Sequence, residues 1–256
     1  MTRVTVALGE ARLARIGLGT NRLTNTRENV AFLREAVAAG TGMIDTAHLY
    51  TDGASEETIG AALGSSHEGC VVATKGGYRA GEARPEVLSA QIEQSLRALR
   101  TETIDLYYLH KPDPDTPLEE SVGAIGEHQA RGSIRHVGLS NVSVEQIERA
   151  RRVVPVAAVQ NHYNLDERAH DDVVDHCAAN GIVFVPYFPL RAGVGRAVRR
   201  IAKRHGATPE QIALAWLLRR SPATLPIPGT LSIEHLRENL AAASIELSDD
   251  EFEALR

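Results

Sequence analysis

Short apolar runs alternate with longer amphipathic stretches along the whole chain, and this alternation limits the possible folds more than any other feature. Residues 14–18, 43–46, 70–74, 104–109, 134–139, 156–160, 182–187 and 224–227 read as about eight strands. Segments opening at Thr26, Ser55, Pro85, Pro117, Ser143 and Ser232 set a capping side chain or a first-turn proline beside early carboxylates or amides, the signature of helix starts. Gly40, Gly132 and Gly181 stand where a left-handed residue ends a helix. Strand-plus-helix units repeating at roughly 30 residues predict a closed (β/α)8 barrel of the α/β class. No linker-like stretch interrupts the 256 residues, so one barrel domain over 1–256 is expected.

An open doubly wound sheet would alternate in the same way, but it brings its own fingerprint. Residues 16–22, Ile-Gly-Leu-Gly-Thr-Asn-Arg, start like a dinucleotide-binding turn and then place Arg22 where the third glycine belongs. Asp45 is the acid available for the ribose position. The match is partial, and the barrel is the stronger reading.

Composition excludes several classes. A hydrophobic fraction of 43% with 24% charged residues is that of a folded globular chain. A net charge of −5 gives no dominant basic face, so nucleic acid is not an expected partner. No run approaches 18 apolar residues and the start lacks a cleavable apolar leader, so neither membrane insertion nor export is expected. Cys70 and Cys177 sit in apolar surroundings as free thiols would, which suits the cytoplasm. A monomer or weak homo-oligomer is expected. His162, His170 and His176 have no metal-ligand spacing, and no metal is expected. Trp216 lies in an apolar helical stretch and reads as core, while the basic run 196–204 reads as a solvated helix face.

On a barrel, the residues at the C-terminal ends of the strands line the site. Here the apolar runs end in Thr20 and Asn21, Asp45, Lys75, His110, Ser140 and Asn141, Gln160, Tyr187, and Gly229 with Thr230. Consecutive strands thus bring a carboxylate, an ammonium and an imidazole to one rim, with Tyr50 close behind Asp45. An ammonium beside a tyrosine lowers its pKa, a carboxylate orients the ammonium, and a histidine can hold a substrate oxygen. That set suits protonation of an oxygen as it gains negative charge, as when a carbonyl is reduced.

With these residues in view, the sequence resembles the aldo-keto reductases. The resemblance rests on Gly17-Leu-Gly-Thr20, Ile44-Asp-Thr-Ala-His-Leu-Tyr50, Glu56-Glu-Thr-Ile-Gly60, Ala73-Thr-Lys-Gly76, Ile104-Asp-Leu-Tyr-Tyr-Leu-His110, Gly138-Leu-Ser-Asn141, Val159-Gln-Asn161 and Ile227-Pro-Gly-Thr230 leading to Glu238-Asn239. It implies a catalytic tetrad of Asp45, Tyr50, Lys75 and His110, with Tyr50 as general acid. It implies NADPH as cofactor, with NADH as the alternative, and a small-molecule carbonyl substrate. Ser140, Asn141 and Gln160 would hold the carboxamide and Tyr187 would stack on the nicotinamide. Gly19, Thr20, Asn21, Asp45, Phe188 and Leu190 would complete the near end of the cofactor site, and Gly229, Thr230, His235, Glu238 and Asn239 the adenosine end.

This chain departs from the family pattern at Gly229 and His235, where many members carry lysine and arginine that meet the 2′-phosphate. Thr230 and Arg237 remain as its partners. The chain is also shorter than most members, and the loop 190–195 is brief, so an open, permissive pocket is expected, with Tyr78, Arg79 and Arg191 as substrate contacts. The expected function is reduction of small or medium aldehydes and ketones. The same tetrad would also serve a cofactor-sensing regulatory subunit with slow turnover, or a pathway-specific reductase or alcohol dehydrogenase acting on a sugar, a pyridoxal or a polyketide.

Overall fold

An antiparallel hairpin of β1 (Thr5–Leu8) and β2 (Ala11–Ala14) comes first. It is followed by seven parallel strands, β3 (Leu18–Gly19), β4 (Met43–Asp45), β5 (Val71–Gly76), β6 (Ile104–Leu109), β7 (Ile134–Ser140), β8 (Val156–Gln160) and β9 (Val183–Phe184), paired in sequence order. The computed structural model describes residues 5–191 and 195–255.

The sheet closes on itself to complete the (β/α)8 barrel. Leu225 N donates to Phe184 O at 2.8 Å on one side, while Gly17 N and Gly19 N donate to Pro226 O and Pro228 O at 2.9 and 3.2 Å on the other. The eighth strand expected over 224–227 is therefore reduced to single bridges, Phe184 to Thr224 and Gly19 to Gly229. Its prolines explain this, since Pro226 and Pro228 accept through their carbonyls but have no N–H to continue a ladder.

Successive side chains of each strand point alternately into the barrel and out toward the helices. Met43, Val71, Ala73, Leu106, Tyr108, Ala158 and Val183 form the inner core. Their outward neighbours Ile44, Val72, Tyr107, Leu109, Val159 and Phe184 pack against the helical ring. Gly138 makes room inside, because a Cβ there would come 2.4 Å from the Tyr108 ring. The hairpin sends Val6, Leu8 and Leu13 into the inner core, stoppering the end opposite the strands' C-termini. Arg15, 2% exposed, fastens this end: Nε donates to Thr224 O (3.1 Å) and a guanidinium nitrogen to Leu218 O (2.8 Å).

The helices are α1 (Arg27–Ala38), α2 (Ala54–Ala62), α3 (Pro85–Leu99), α4 (Leu118–Ala130), α5 (Val144–Arg151), α6 (Asp171–Asn180), α7 (Arg196–His205), α8 (Pro209–Arg220), α9 (Ile233–Ala241) and α10 (Asp249–Glu253). Thr26, Ser143 and Ser232 cap α1, α5 and α9 as expected, each accepting a backbone N–H. Ser55 does not cap α2. That helix begins at Ala54 behind a left-handed Gly53, and the Ser55 hydroxyl turns to Thr46 Oγ1 at 2.7 Å. Trp216 is 1% exposed and stacks between Tyr163 and Phe252, as a core residue should. Among the described residues, no helix is long and apolar enough to cross a membrane, and no group of three metal-ligating side chains converges.

Candidate active site

The inward register of the strands carries straight into the site. Asp45 follows Met43 two residues on, Lys75 follows Ala73, and Gln160 follows Ala158, so each points into the barrel past the last apolar layer. His110 continues Leu106 and Tyr108 in the same way, and Ser140 stands opposite Gln160 in the β7–β8 pairing.

Lys75 is fully buried, and its Nζ donates to Asp45 Oδ1 at 2.7 Å and to Thr46 O at 2.6 Å. The other carboxylate oxygen, Oδ2, accepts from Gln160 Nε2 at 2.8 Å. Burial alone would lower the Lys75 pKa, but Asp45 and then Tyr50 outweigh it and raise it, so the ammonium stays charged. For Asp45, burial pushes the carboxyl up while Lys75 and Gln160 pull it back.

Tyr50 lies over this pair, its ring centroid 5.1 Å from Lys75 Nζ. The residues after it, Thr51 and Asp52, are both left-handed at φ 49° and 52°, and Thr51 Oγ1 donates to Leu23 O at 2.7 Å. That turn folds the chain back so that Tyr50 covers the strand ends. Lys75 lowers the tyrosine's pKa as expected, but burial is the larger influence. Burial raises it, Lys75 pulls against the rise, Asp45 adds to it, and the net direction is up. Tyr50 is therefore protonated at neutral pH, the form a proton donor needs.

Facing it is His110, edge-on to Tyr50 with ring centroids 6.1 Å apart. Burial, helped by the Lys75 charge, pushes its pKa down to about 3, so the imidazole is neutral. Its Nδ1 is buried without a hydrogen-bond partner, which leaves Nε2 as the nitrogen available to the cleft.

Asn141 joins three strand ends. Its Nδ2 donates to His110 O (3.0 Å) and Ser140 Oγ (3.1 Å), and its Oδ1 accepts from Tyr187 OH (2.9 Å). The Tyr187 ring is stacked on His162 at 5.3 Å and 8°. Above these residues opens a cleft of about 730 Å³, walled also by Gly19, Thr20, Asn21, Phe188, Leu190 and Gly229. The Thr20 hydroxyl is committed to Asp45 O at 2.9 Å. Lys75 is absent from the wall because it lies beneath the floor.

A second groove of about 710 Å³ holds Thr230, His235, Glu238 and Asn239, and shares Arg22, Leu190 and Gly229 with the cleft. The two are therefore one continuous trough. Arg237, expected at the phosphate, turns away to Glu35 Oε1 at 2.7 Å. Of the expected substrate contacts, Tyr78 and Arg191 line the cleft, while Arg79 pairs with Glu82 at 3.5 Å. Residues 192–194 of the brief loop lie outside the described residues. Sequence reasoning missed Arg22, Leu49 and Lys111, all in the cleft wall. Arg22 and Lys111 directly follow assigned strand-end residues, and that adjacency was the signal for them.

A closed parallel barrel with its polar cleft at the C-terminal rim is the architecture of a barrel enzyme. The sequence matches the Aldo/keto reductase family over residues 15–198 and 194–256. Pyridoxine 4-dehydrogenase of Escherichia coli is 35% identical, covering 98% of this chain and 96% of its own. An uncharacterized oxidoreductase of Schizosaccharomyces pombe is 36% identical over 98% of this chain and 88% of its own. Among solved structures, a thermostable aldo-keto reductase in complex with epalrestat superposes at TM-score 0.91 with 35% identity and 98% of each chain covered. An aldo-keto reductase from Klebsiella pneumoniae in complex with NADPH superposes at 0.90 with 33% identity, covering 100% of this chain and 94% of its own. The chain belongs to the aldo/keto reductase family of oxidoreductases.

Proposed function

We propose that this protein reduces aldehydes and ketones to alcohols with NADPH, with NADH as the alternative donor. Tyr50 is the proton donor, Lys75 and Asp45 set its protonation, and His110 orients the substrate oxygen. The observation that carries this reading is the Lys75–Asp45 pair buried directly beneath Tyr50, opposite a neutral His110.

The trough fits an extended dinucleotide. At the cleft end, Ser140, Asn141 and Gln160 offer hydroxyl and amide groups suited to a carboxamide, and Tyr187 offers an aromatic face. Gln160 gives one Nε2 hydrogen to Asp45, and its Oε1 can accept from the carboxamide. Gly19, Thr20, Asn21, Phe188 and Leu190 flank the middle, and Gly229, Thr230, His235, Glu238 and Asn239 receive the adenosine end. When bound, the reduced nicotinamide supplies a hydride to the carbonyl carbon.

His110 Nε2 donates a hydrogen bond to the carbonyl oxygen and fixes its direction. Tyr50 OH transfers its proton to that oxygen as negative charge builds on it. The Lys75 ammonium, kept charged by Asp45, stabilises the tyrosinate left behind, and the phenol then recovers a proton from water. Burial raises the resting Tyr50 pKa and so keeps the proton in place until the oxygen needs it.

The test is oxidation of NADPH and, separately, NADH by the purified protein against aldehydes, ketones, dicarbonyls and aldoses, with Tyr50→Phe as control. Turnover that vanishes in the variant is expected. Tight cofactor binding with no turnover on any carbonyl would instead indicate a sensor. Residues 1–256 are read as one barrel domain, monomeric or weakly associated, without a nucleic-acid partner. The buried free thiols of Cys70 and Cys177 support a cytoplasmic setting.

A further inference from the structure

We propose that the catalytic end of the cleft selects carbonyl compounds that carry a flat ring and an anionic group, with Tyr78 against the ring and Lys111 paired to the anion. This rests on the reductase reading and names its substrate class.

The cleft's charge is one-sided. Arg22, Lys111 and Arg191 line it, and its one carboxylate among the described residues, Asp45, is 2% exposed and neutralised by Lys75. A protein of net charge −5 therefore presents a cationic cleft, which concentrates anions inside it.

Two of the three cations belong to the dinucleotide's course. Arg22 lies at the waist shared by cleft and groove, and the Arg191 guanidinium sits 4.3 Å from the Phe188 ring centroid, next to waist residue Leu190. Lys111 does not lie there. It follows His110 directly, beyond the end of β6, whereas the groups suited to the carboxamide rise from β7 and β8. It is exposed and has no ion-pair partner among the described residues. The cleft-wall cation that directly follows the carbonyl-orienting histidine in the chain is thus free for the substrate.

Tyr78 supplies the flat wall. Its ring lies 4.8 Å from that of His110 at 53°, yet the residue is 50% exposed, so part of the ring remains open to the cleft. An exposed aromatic at such a site offers a face for stacking a planar group.

The loops that carry the two side chains are held together. His110 N donates to Gly76 O at 2.8 Å and Gly81 N to Asp113 Oδ2 at 2.6 Å, so the loops bearing Tyr78 and Lys111 are fastened together on both sides of those residues. Within its loop, Gly77 N donates to Gln91 Oε1 at 2.8 Å, and Tyr78 N and Arg79 N donate to Glu82 Oε2 at 3.2 and 3.0 Å. The backbone at Tyr78 is consequently braced, on a loop fastened to the one that carries Lys111.

The experiment compares kcat/KM for benzaldehyde, 4-carboxybenzaldehyde, butanal and succinic semialdehyde at low and at high salt. At low salt, 4-carboxybenzaldehyde should exceed benzaldehyde by about fivefold, the scale of one exposed charge contact, and the advantage should shrink as salt is added. Lys111→Glu should reverse that ratio and Lys111→Arg should preserve it. Tyr78→Ala should lower the ratio of 4-carboxybenzaldehyde to succinic semialdehyde by about fivefold, and Tyr78→Phe should preserve it. A wild-type anionic-to-neutral ratio of one or less, or a ratio indifferent to Lys111→Glu, overturns the anion assignment. A ring preference that survives Tyr78→Ala overturns the stacking assignment. Turnover of benzaldehyde without these preferences would leave the reductase reading standing and remove this one; no turnover on any of the four removes this one, and the reductase reading falls with it only if the ketones, dicarbonyls and aldoses fail as well.

Discussion

Gln160 Nε2 donates to Asp45 Oδ2 across the barrel interior at 2.8 Å, while Lys75 Nζ occupies Oδ1. Neither oxygen of this buried carboxylate is left bare, and the side chain proposed to hold the cofactor's carboxamide also steadies the pair beneath Tyr50. Replacing Gln160 by Leu leaves Oδ2 without its donor, a penalty of about 1–3 kcal/mol for a buried polar atom. Urea unfolding at neutral pH should show a loss of that size, and cofactor affinity should fall as well. Wild-type stability in Gln160→Leu would mean that water or a rearranged neighbour replaces the amide.

Tyr50 can be tested without disturbing its surroundings. Tyr50→Phe keeps the ring beside Lys75 and removes only the transferable proton, so kcat for carbonyl reduction should fall by about 10²- to 10⁴-fold. Cofactor binding, measured by fluorescence titration, should stay near the wild-type value. Activity retained in Tyr50→Phe would assign the proton transfer to another group, and His110 would then be examined first.

The parts of this fold that could be read from the chain follow local periodicity. Inward positions such as Asp45, Lys75, His110 and Gln160 obey the two-residue repeat of their strands, so their arrival at one rim was visible in the sequence. Three features were not, each for a different reason. The Thr5–Ala14 hairpin is made of two four-residue strands around Gly9, too short for periodicity to register, and it exists to bury Val6, Leu8 and Leu13 in the barrel's end. The last strand has an apolar pattern, but two prolines deny it a ladder. Arg237 points away from the trough because Glu35, 202 residues earlier, pairs with it, and no local pattern encodes so distant a partner.

His110 makes stability depend on pH in a definite direction. The unfolded chain protonates this imidazole near the usual 6.5, but the folded protein keeps it neutral down to about 3. Below pH 6.5 the unfolded state binds the extra proton, so folding is penalised progressively as pH falls through that window and is unaffected above it. At pH 5 the penalty is about 2 kcal/mol. Urea unfolding at pH 7 and pH 5 should show that His110→Gln escapes this portion of the acid loss. Equal acid losses in the two proteins would place the destabilising proton on a different group.

The adenosine end of the trough sets a last test, on nucleotide preference. His235, in the first turn of α9, shares this groove with the carboxylates of Glu210 and Glu238, Arg237 is engaged elsewhere, and among the described residues Arg22 at the waist is the one guanidinium lining it. Gly229 is not left-handed, and a Cβ added to it would meet nothing closer than Gly19 O at 3.4 Å, so a lysine fits at that position without backbone strain. Gly229→Lys with His235→Arg adds an ammonium and a guanidinium suited to phosphate oxygens. The ratio of kcat/KM for NADPH over NADH should rise by about tenfold or more, chiefly through KM for NADPH. An unchanged ratio would place the 2′-phosphate outside this groove, and with it the adenosine half of the proposed dinucleotide course.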